Sequence, residues 1–338
     1  MPATDRTNSN RPTVSILIAA RNEENTLPDC LYAITQLAAP SGFVEVLIGN
    51  DQSTDQTVER VKPIIDAHDD FRLVNIIDQV NNLSGKPNVL AQLARQARGE
   101  FLFFTDADTQ VPVNWLTEMT RRFTSNVGIV TGITLPEGRT LFHKLQTLDW
   151  LYNLTLTHWV SSLSIPVTAM GNNMAVRRRA YEAVGGYEAL PFSVTEDYAL
   201  FQALVNQGFE FRNMLSEDVL AHTKPVDTIR AFLQQRKRWM RGASQLPNWM
   251  VLALYGNYLV GPLLLLLGLV SPMLAIGLYL SRLLVQTTLL SFGISRLRQT
   301  KLWPYTLLFE PYQLILGPLA VIYYLLPTPI VWKGRSYS

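Results

Sequence analysis

Carboxylates gathered in short polar clusters are the residues best equipped for chemistry in this 338-residue chain. Asp106-Ala107-Asp108 follows the apolar run 101–105 (FLFFT). Two carboxylates two residues apart can share one hard divalent cation if the turn aims them alike. Mg²⁺ prefers oxygen ligands, completed by substrate phosphates and water, and a metal held there would neutralise charge building on a diphosphate leaving group. D-x-D is also a common turn pattern, so its position has to carry the reading. Asp51-Gln52-Ser53-Thr54-Asp55-Gln56-Thr57 reads partly as helix capping, with Ser53 or Thr54 as N-cap and acid in the first turn. Capping does not account for Asp51, which precedes the cap. Gly85-Lys86 opens a helix, where a lysine opposes the macrodipole unless an anion is shared. A diphosphate would supply that anion; a solvated lysine is the plainer alternative. Thr195-Glu196-Asp197 begins a helix running through 198–207, either as ordinary capping acids or as a base. Gln235-Arg236-Lys237-Arg238-Trp239, with Arg230 and Arg241, forms a basic amphipathic helix whose plain reading is contact with lipid headgroups. His222 reads as a structural histidine, with metal ligation the alternative.

The elements that must position these groups alternate. The runs 14–20 (VSILIAA), 43–49 (FVEVLIG), 71–77 (FRLVNII) and 101–105 are continuous and rich in β-branched or aromatic residues, as strands buried on both faces are. Helix-like stretches at 25–39, 54–67 and 86–97 separate them. That order predicts right-handed crossovers and a mostly parallel sheet, with ligand at the carboxyl ends of the strands. The first strand runs into Arg21-Asn22-Glu23-Glu24, the second into Asp51 and its neighbours, the fourth into Asp106. Three acidic clusters on one edge repel each other, which implies that something cationic joins them. A helix is expected after Pro112 and a short strand at 127–132. Residues 140–163, rich in Leu and Trp, read as a core helix, with an interfacial helix as the alternative.

Charge is spread unevenly. Residues 1–250 sum to −3 and residues 251–338 to +5, and Arg282 is the only charged side chain in 251–295. So long an apolar stretch exceeds a soluble core element and suits membrane helices of about 20 residues each. We divide the region as 251–271, 272–294 and 304–326, with 327–338 as a tail. Arg296, Arg298 and Lys301 place the loop after the second span in the cytosol. Glu310 and the basic tail leave the third span open to a partly interfacial or re-entrant course. The polar residues 1–13 lack the apolar core of a signal peptide, so the N-terminal part is expected in the cytosol. The chain lacks the basic runs of a nucleic-acid binder, and its single cysteine, Cys30, excludes an internal disulfide or a Cys-based zinc site.

Taken in order, VSILIAARNEE, NDQSTDQT, GKPNVL, FTDAD, GNNMAVRR, TED and QRKRW resemble glycosyltransferase family 2 over residues 13–241. The apolar tail and Trp332-Lys333-Gly334-Arg335 resemble its membrane-bound members. The resemblance implies an α/β GT-A fold, Rossmann-like with a mostly parallel sheet, followed by transmembrane helices. It implies a catalytic domain at 13–241 that includes a basic interfacial helix region at 226–249, and a membrane region at 251–326. The activity implied is inverting transfer from a UDP- or GDP-sugar. Glu23 and Asp51 would contact the nucleotide, Lys86 the base or diphosphate, and Asp106 and Asp108 would hold Mg²⁺ or Mn²⁺. Asp197 would be the general base and Arg238 would act with it in catalysis by neutralising the donor diphosphate, Gln235 would contact the donor, and Glu196 and Trp239 would meet the acceptor. The implied setting is a multi-pass protein of the cell (inner) membrane with its catalytic domain in the cytosol.

Q-x-x-R-W marks processive polysaccharide synthases and also lipid glucosyltransferases resembling ceramide glucosyltransferase. A polymer threaded through the bilayer needs a channel of many spans, and two or three cannot enclose one in a monomer. A lipid hydroxyl presented at the interface needs none, so the expected acceptor is a lipid, with polysaccharide extension the alternative. A nucleotidyltransferase would need a glycine-rich loop that Ala19-Ala20-Arg21-Asn22 lacks. A silent scaffold would have no use for Asp51, Asp106, Asp108 and Asp197 together.

Overall fold

The computed structural model describes residues 12–38, 42–193, 195–244, 246, 248–332 and 335–337. The chain forms two compact units, residues 1–134 with 164–223, and residues 135–163 with 224–338.

In the first unit the elements alternate as β1 (Pro12–Ala20), α1 (Leu27–Thr35), β2 (Phe43–Asn50), α2 (Thr57–Asp66), β3 (Phe71–Asn75), α3 (Lys86–Gln96) and β4 (Phe101–Asp106). Five consecutive residues of β1, Val14 to Ile18, have no exposed surface, which is why this strand reads as an apolar run interrupted only by Ser15. It lies between β2 and β4, parallel to both, and β3 pairs with the outer edge of β2. The register sets Asn50 beside Ala20 and Asp106 beside Ala19. The three polar clusters therefore leave the sheet at one edge, as the sequence implied. Gly49 is where α3 comes close to β2: a Cβ there would lie 2.3 Å from Val89 Cγ1.

The chain continues as β5 (Thr109–Gln110), α4 (Trp115–Thr120), β6 (Val127–Thr131) and β7 (Ile133–Pro136), then α5 (Leu141–Ser162). It resumes as β8 (Asn173–Arg177), α6 (Arg178–Ala183), α7 (Glu196–Asn206), β9 (Glu210–Asn213) and β10 (Leu220–Thr223). The main sheet has the order β3-β2-β1-β4-β8-β6-β9. Strand β8 runs antiparallel to both β4 and β6, so only the first four strands form the expected parallel array. Local differences have local causes. Strand β3 stops at Asn75 rather than 77, because Ile76 turns inward while Ile77 is 79% exposed. Helix α2 starts at Thr57, since Ser53 and Thr54 are occupied elsewhere. The end of the expected helix at Ala39 lies outside the described residues, as do Lys333 and Gly334.

The second unit holds α5, α8 (Ile229–Ala243), α9 (Asn248–Tyr258), α10 (Val260–Val270), α11 (Pro272–Arg296) and α12 (Thr306–Leu325), closed by a hairpin of β11 (Ile330–Trp332) and β12 (Arg335–Tyr337). Helix α5 packs on α11 and α12, and α8 packs on α12, so both belong with the apolar helices rather than with the sheet. Residues 272–296 and 300–325 are each long and apolar enough to cross a membrane. The expected first span is instead the pair α9 and α10, bent by 73°. Pro262 in the first turn of α10 has no N–H to continue the preceding helix. Glu310 is accommodated by an ion pair with Arg282, whose Nη2 also donates to Gln313 Oε1 at 2.8 Å. If α12 crosses a membrane, a charge on it is tolerable when paired in this way.

Candidate active site

The site builds outward from the carboxyl edge of β1, β2 and β4. After β1 the backbone turns at Asn22, with φ of 54°, and after β2 at Gln52, also at 54°. The two loops are tied together by side chains. Asn22 Oδ1 accepts from Thr54 N at 2.8 Å, Asn22 N donates to Ser53 Oγ at 3.1 Å, and Glu23 N donates to Thr57 Oγ1 at 2.8 Å. Ser53 and Thr54 thus bind loop to loop instead of capping α2. Asp55 carries the capping role, its Oδ1 accepting from Thr57 N at 3.0 Å. Burial pushes the Asp55 carboxyl up, but hydrogen bonds from Thr57 outweigh it and hold the group below its usual range. Arg21 Nη1 donates to the Asp51 carbonyl at 2.8 Å and lies 3.9 Å from its carboxylate. Glu23 and Asp51, the expected nucleotide contacts, are both buried in this double loop.

The cation demanded by the acidic edge is Lys86. Its Nζ lies 2.6 Å from Asp106 Oδ1 and 2.7 Å from Glu196 Oε1. Burial would lower its pKa, but the charges of Asp106, Glu196 and Asp197 prevail and hold it above the usual lysine range. The unfavourable place of a lysine at the start of α3 is thereby offset by carboxylates of the chain itself. Glu196, expected at the acceptor, is 8% exposed and pairs with Lys86.

Asp197 is oriented by two backbone donors: Oδ2 accepts from Gly171 N at 2.9 Å and Oδ1 from Tyr198 N at 2.8 Å. It remains partly exposed. Burial and the neighbouring Glu196 charge raise its carboxyl to about 6, against the lowering effect of Lys86. A carboxylate poised there can exchange a proton near neutral pH. Gly171 is required by this contact, because a Cβ would meet Asp197 Oδ2 at 2.6 Å.

The GNN segment is what motif order quoted without a role. Asn172 O accepts from Thr105 Oγ1 at 3.1 Å, and Asn172 Oδ1 accepts from Thr134 Oγ1 at 3.0 Å. Asn173 is wholly buried, accepting from Trp115 Nε1 at 2.8 Å and donating to the Ile133 and Val219 carbonyls at 2.9 Å. An asparagine between apolar β-strand residues was the available signal. Tyr187 also escaped the sequence. Burial, then the charge of Glu196, drives its phenol far above the usual range, so it remains neutral beside the carboxylates.

Asp106 and Asp108 are both partly exposed. Among the described residues no three His, Cys, Asp or Glu side chains gather as a metal cluster. The chain thus offers two hard oxygen donors, a set that suits an ion whose remaining ligands are diphosphate and water. His222 lies on β10 opposite Gln110 of β5. Buried Cys30 donates weakly to the Asp106 carbonyl at 3.5 Å. Burial, then the charges of Asp108 and Asp106, push its thiol up and keep it unreactive.

Gln235, Arg238 and Trp239 lie on α8 in the second unit and are partly exposed. The residues between them behave differently from the expected headgroup contacts. Arg236 is 2% exposed and pairs with Asp149 of α5; Lys237 is 6% exposed and donates to the Leu326 carbonyl at 2.6 Å. The Arg236 guanidinium lies 4.4 Å from the Trp239 ring centre, and Trp150 meets Trp239 edge-on at 5.0 Å. Helical periodicity turns those two cations inward while leaving the motif residues partly open.

A sheet of this order with acidic clusters at one carboxyl edge defines a GT-A fold. The mannosyltransferase PcManGT of Pyrobaculum calidifontis, solved with GDP-Man and Mn²⁺, superposes with a TM-score of 0.58 at 18% identity, covering 94% of this chain and 88% of that one. Residues 15–185 match the model of glycosyl transferase family 2, and residues 101–331 that of glycosyl transferase family group 2. The chain belongs to glycosyl transferase family 2. It is 27% identical to the probable glycosyltransferase YdaM of Bacillus subtilis, over 68% of this chain and 55% of that protein. It is 28% identical to poly-beta-1,6-N-acetyl-D-glucosamine synthase of Staphylococcus epidermidis, over 69% and 55%. Beta-monoglucosyldiacylglycerol synthase of Nostoc sp. is 27% identical over 69% and 49%. The chain spans about half the length of the curated relatives it matches.

Proposed function

We propose that this chain is an inverting glycosyltransferase that moves a sugar from a UDP- or GDP-sugar to a hydroxyl of a membrane lipid. The observation that carries the reading is Asp197: held by two backbone N–H groups, partly open, and raised to about 6 beside Lys86. In the proposed reaction the acceptor hydroxyl oxygen forms a bond to the anomeric carbon while its proton passes to the Asp197 carboxylate. The anomeric C–O bond to phosphate breaks on the opposite face, and the nucleoside diphosphate departs with the electron pair. Glu23 and Asp51 hold the nucleotide. Lys86 supplies positive charge where negative charge develops. Asp106 and Asp108 would hold Mg²⁺ or Mn²⁺, which supplies Lewis-acid neutralisation of the diphosphate. Gln235 and Arg238 toward the donor and Trp239 toward the acceptor keep the roles that their motif assigns.

A lipid hydroxyl presented at the interface needs no channel, and it can be met by the helices that, among the described residues, are long and apolar enough to cross a membrane, two, or up to three if the bent pair is one span. The diacylglycerol-glucosylating relatives support this acceptor, whereas the N-acetylglucosamine polymer synthases keep chain extension as the second reading. The proposed setting is the cell (inner) membrane, multi-pass, with the first unit in the cytosol. The test is a transfer assay on detergent-purified full chain with labelled nucleotide-sugars, Mg²⁺ or Mn²⁺, and a total lipid extract. Label in the organic phase supports the lipid acceptor and names the donor. Label confined to high-mass aqueous product overturns it in favour of polymer extension.

A further inference from the structure

Two adjacent residues of α5 meet two residues of α8 that lie about one helical turn apart. Asp149 forms an ion pair with Arg236, and Trp150 meets Trp239 edge-on, with ring centres 5.0 Å apart. The Arg236 guanidinium also lies against two rings of its own helix, 4.7 Å from the Phe232 ring centre and 4.4 Å from that of Trp239. Residues four before and three after it share its helix face. The partners of the guanidinium are themselves fixed. Asn153 Nδ2 donates to Asp149 Oδ1 at 3.1 Å, which aims the carboxylate and leaves Oδ2 to Arg236. Phe232 is buried and packs edge-on against Phe142 and Tyr312.

A buried ion pair adds little stability by itself, since an apolar pair of similar volume often serves as well. What it supplies is direction, because a carboxylate and a planar guanidinium meet in a restricted geometry. Trp239 is partly exposed, and an indole at a helix surface has more than one staggered rotamer open to it. The guanidinium on its ring and the ring of Trp150 select one of them. Asp149 and Arg236 have side chains only 9% and 3% exposed, so they act on whatever reaches Trp239 through the indole and not by touching it.

We infer that Asp149 and Arg236 are positioning residues that hold the Trp239 indole in the orientation in which it meets the acceptor. The inference rests on the reading of Trp239 as an acceptor contact, and adds that its orientation is set from α5 and not by α8 alone. A cation–ring contact shifts an equilibrium by about threefold to thirtyfold when desolvated. That is the range by which a freed indole should weaken acceptor recognition.

The test uses the full chain in detergent with its tryptophans replaced by fluorotryptophan, the Trp239 fluorine resonance being identified by its loss in Trp239→Phe. The variant is Asp149→Leu with Arg236→Met, which removes both charges and roughly keeps their volume. Its thermal midpoint should stay near that of the unchanged chain. Its Trp239 resonance, read with neither donor nor acceptor, should shift and broaden or split as the ring samples further rotamers. Its KM for the acceptor should rise about threefold to thirtyfold at unchanged donor KM. An unchanged resonance overturns the inference, as does an unchanged acceptor KM or a matching rise in donor KM. Should the double variant not fold, Arg236→Lys gives the same two readouts, since it keeps a cation for Asp149 but loses the flat face that lies on the indole; there too an unmoved resonance or acceptor KM overturns the inference. Transfer to a polymer instead of a lipid defeats the lipid reading alone, and the acceptor KM is then taken with the polymer primer. Absence of any transfer by the unchanged chain defeats the proposed function, and the resonance by itself then decides whether Asp149 and Arg236 orient Trp239.

Discussion

If Asp197 is a base held in a costly environment, replacing it with asparagine should remove activity without weakening the fold. A carboxyl ordinarily near 3.8 is raised here to about 6. Each pH unit of displacement corresponds to about 1.4 kcal/mol, so keeping Asp197 ionised costs the folded state at most about 3 kcal/mol, and about 1–2 kcal/mol once its partial exposure is allowed for. The sign follows from proton linkage. The folded state holds this proton more tightly than the unfolded chain, so stability falls as pH rises from about 4 to 6, and the full cost persists above 6. Asp197→Asn removes that cost; its amide oxygen can still accept from Gly171 N, while the bond from Tyr198 N is lost, which offsets about 1 kcal/mol of the gain. At pH 8 its thermal midpoint, followed by tryptophan fluorescence in detergent, should match or exceed that of the unchanged chain, and near pH 4 the two should converge. Lipid transfer should be lost while nucleotide-sugar binding persists. For the unchanged chain, kcat/KM should fall about tenfold from pH 7 to pH 5 as the carboxylate protonates. A variant that is active, or less stable at pH 8 than its parent, would refute the assignment, as would a pH profile flat across 5–7.

Gly171→Ala pushes a methyl into Asp197 Oδ2 and should lower kcat at least about tenfold with donor affinity unchanged; an equal loss of donor binding would point to a collapsed site. Lys86→Met removes a lowering influence on Asp197, so the acid limb of the rate profile should move to higher pH and donor affinity should drop, both readable from pH-dependent kinetics. Asp108→Ala should abolish the dependence of donor binding on Mg²⁺ or Mn²⁺, measured by titration; undiminished metal-dependent binding would remove Asp108 as a ligand. Asp149→Ala strands the buried Arg236 charge and should cost about 3–5 kcal/mol, seen as a lowered thermal midpoint, whereas Asp149→Leu with Arg236→Met should recover most of it.

The strands β1, β2 and β4, and the edge at which their polar clusters emerge, were legible because burial on both faces writes a continuous apolar run into the chain. The acidic clusters demanded a cation through plain electrostatic repulsion, and Lys86 was already marked by its unfavourable place at a helix start. The pairings themselves were not legible. That Lys86 reaches Glu196, or that Gly171 N–H aims Asp197, depends on segments far apart in the chain meeting at one edge, which no local period encodes. The reversed strand β8 was hidden because a buried strand reads alike in either direction.

The second unit divides along the same line. Its apolar length followed from composition alone, since only Arg282 interrupts residues 251–295. Three things needed the fold: the break between α9 and α10, the pairing of Arg282 with Glu310, and the turning inward of Arg236 and Lys237. Spacing along a helix sets which residues share a face. Only the neighbours packed against that face decide whether a cation on it meets solvent, a lipid or a buried carboxylate.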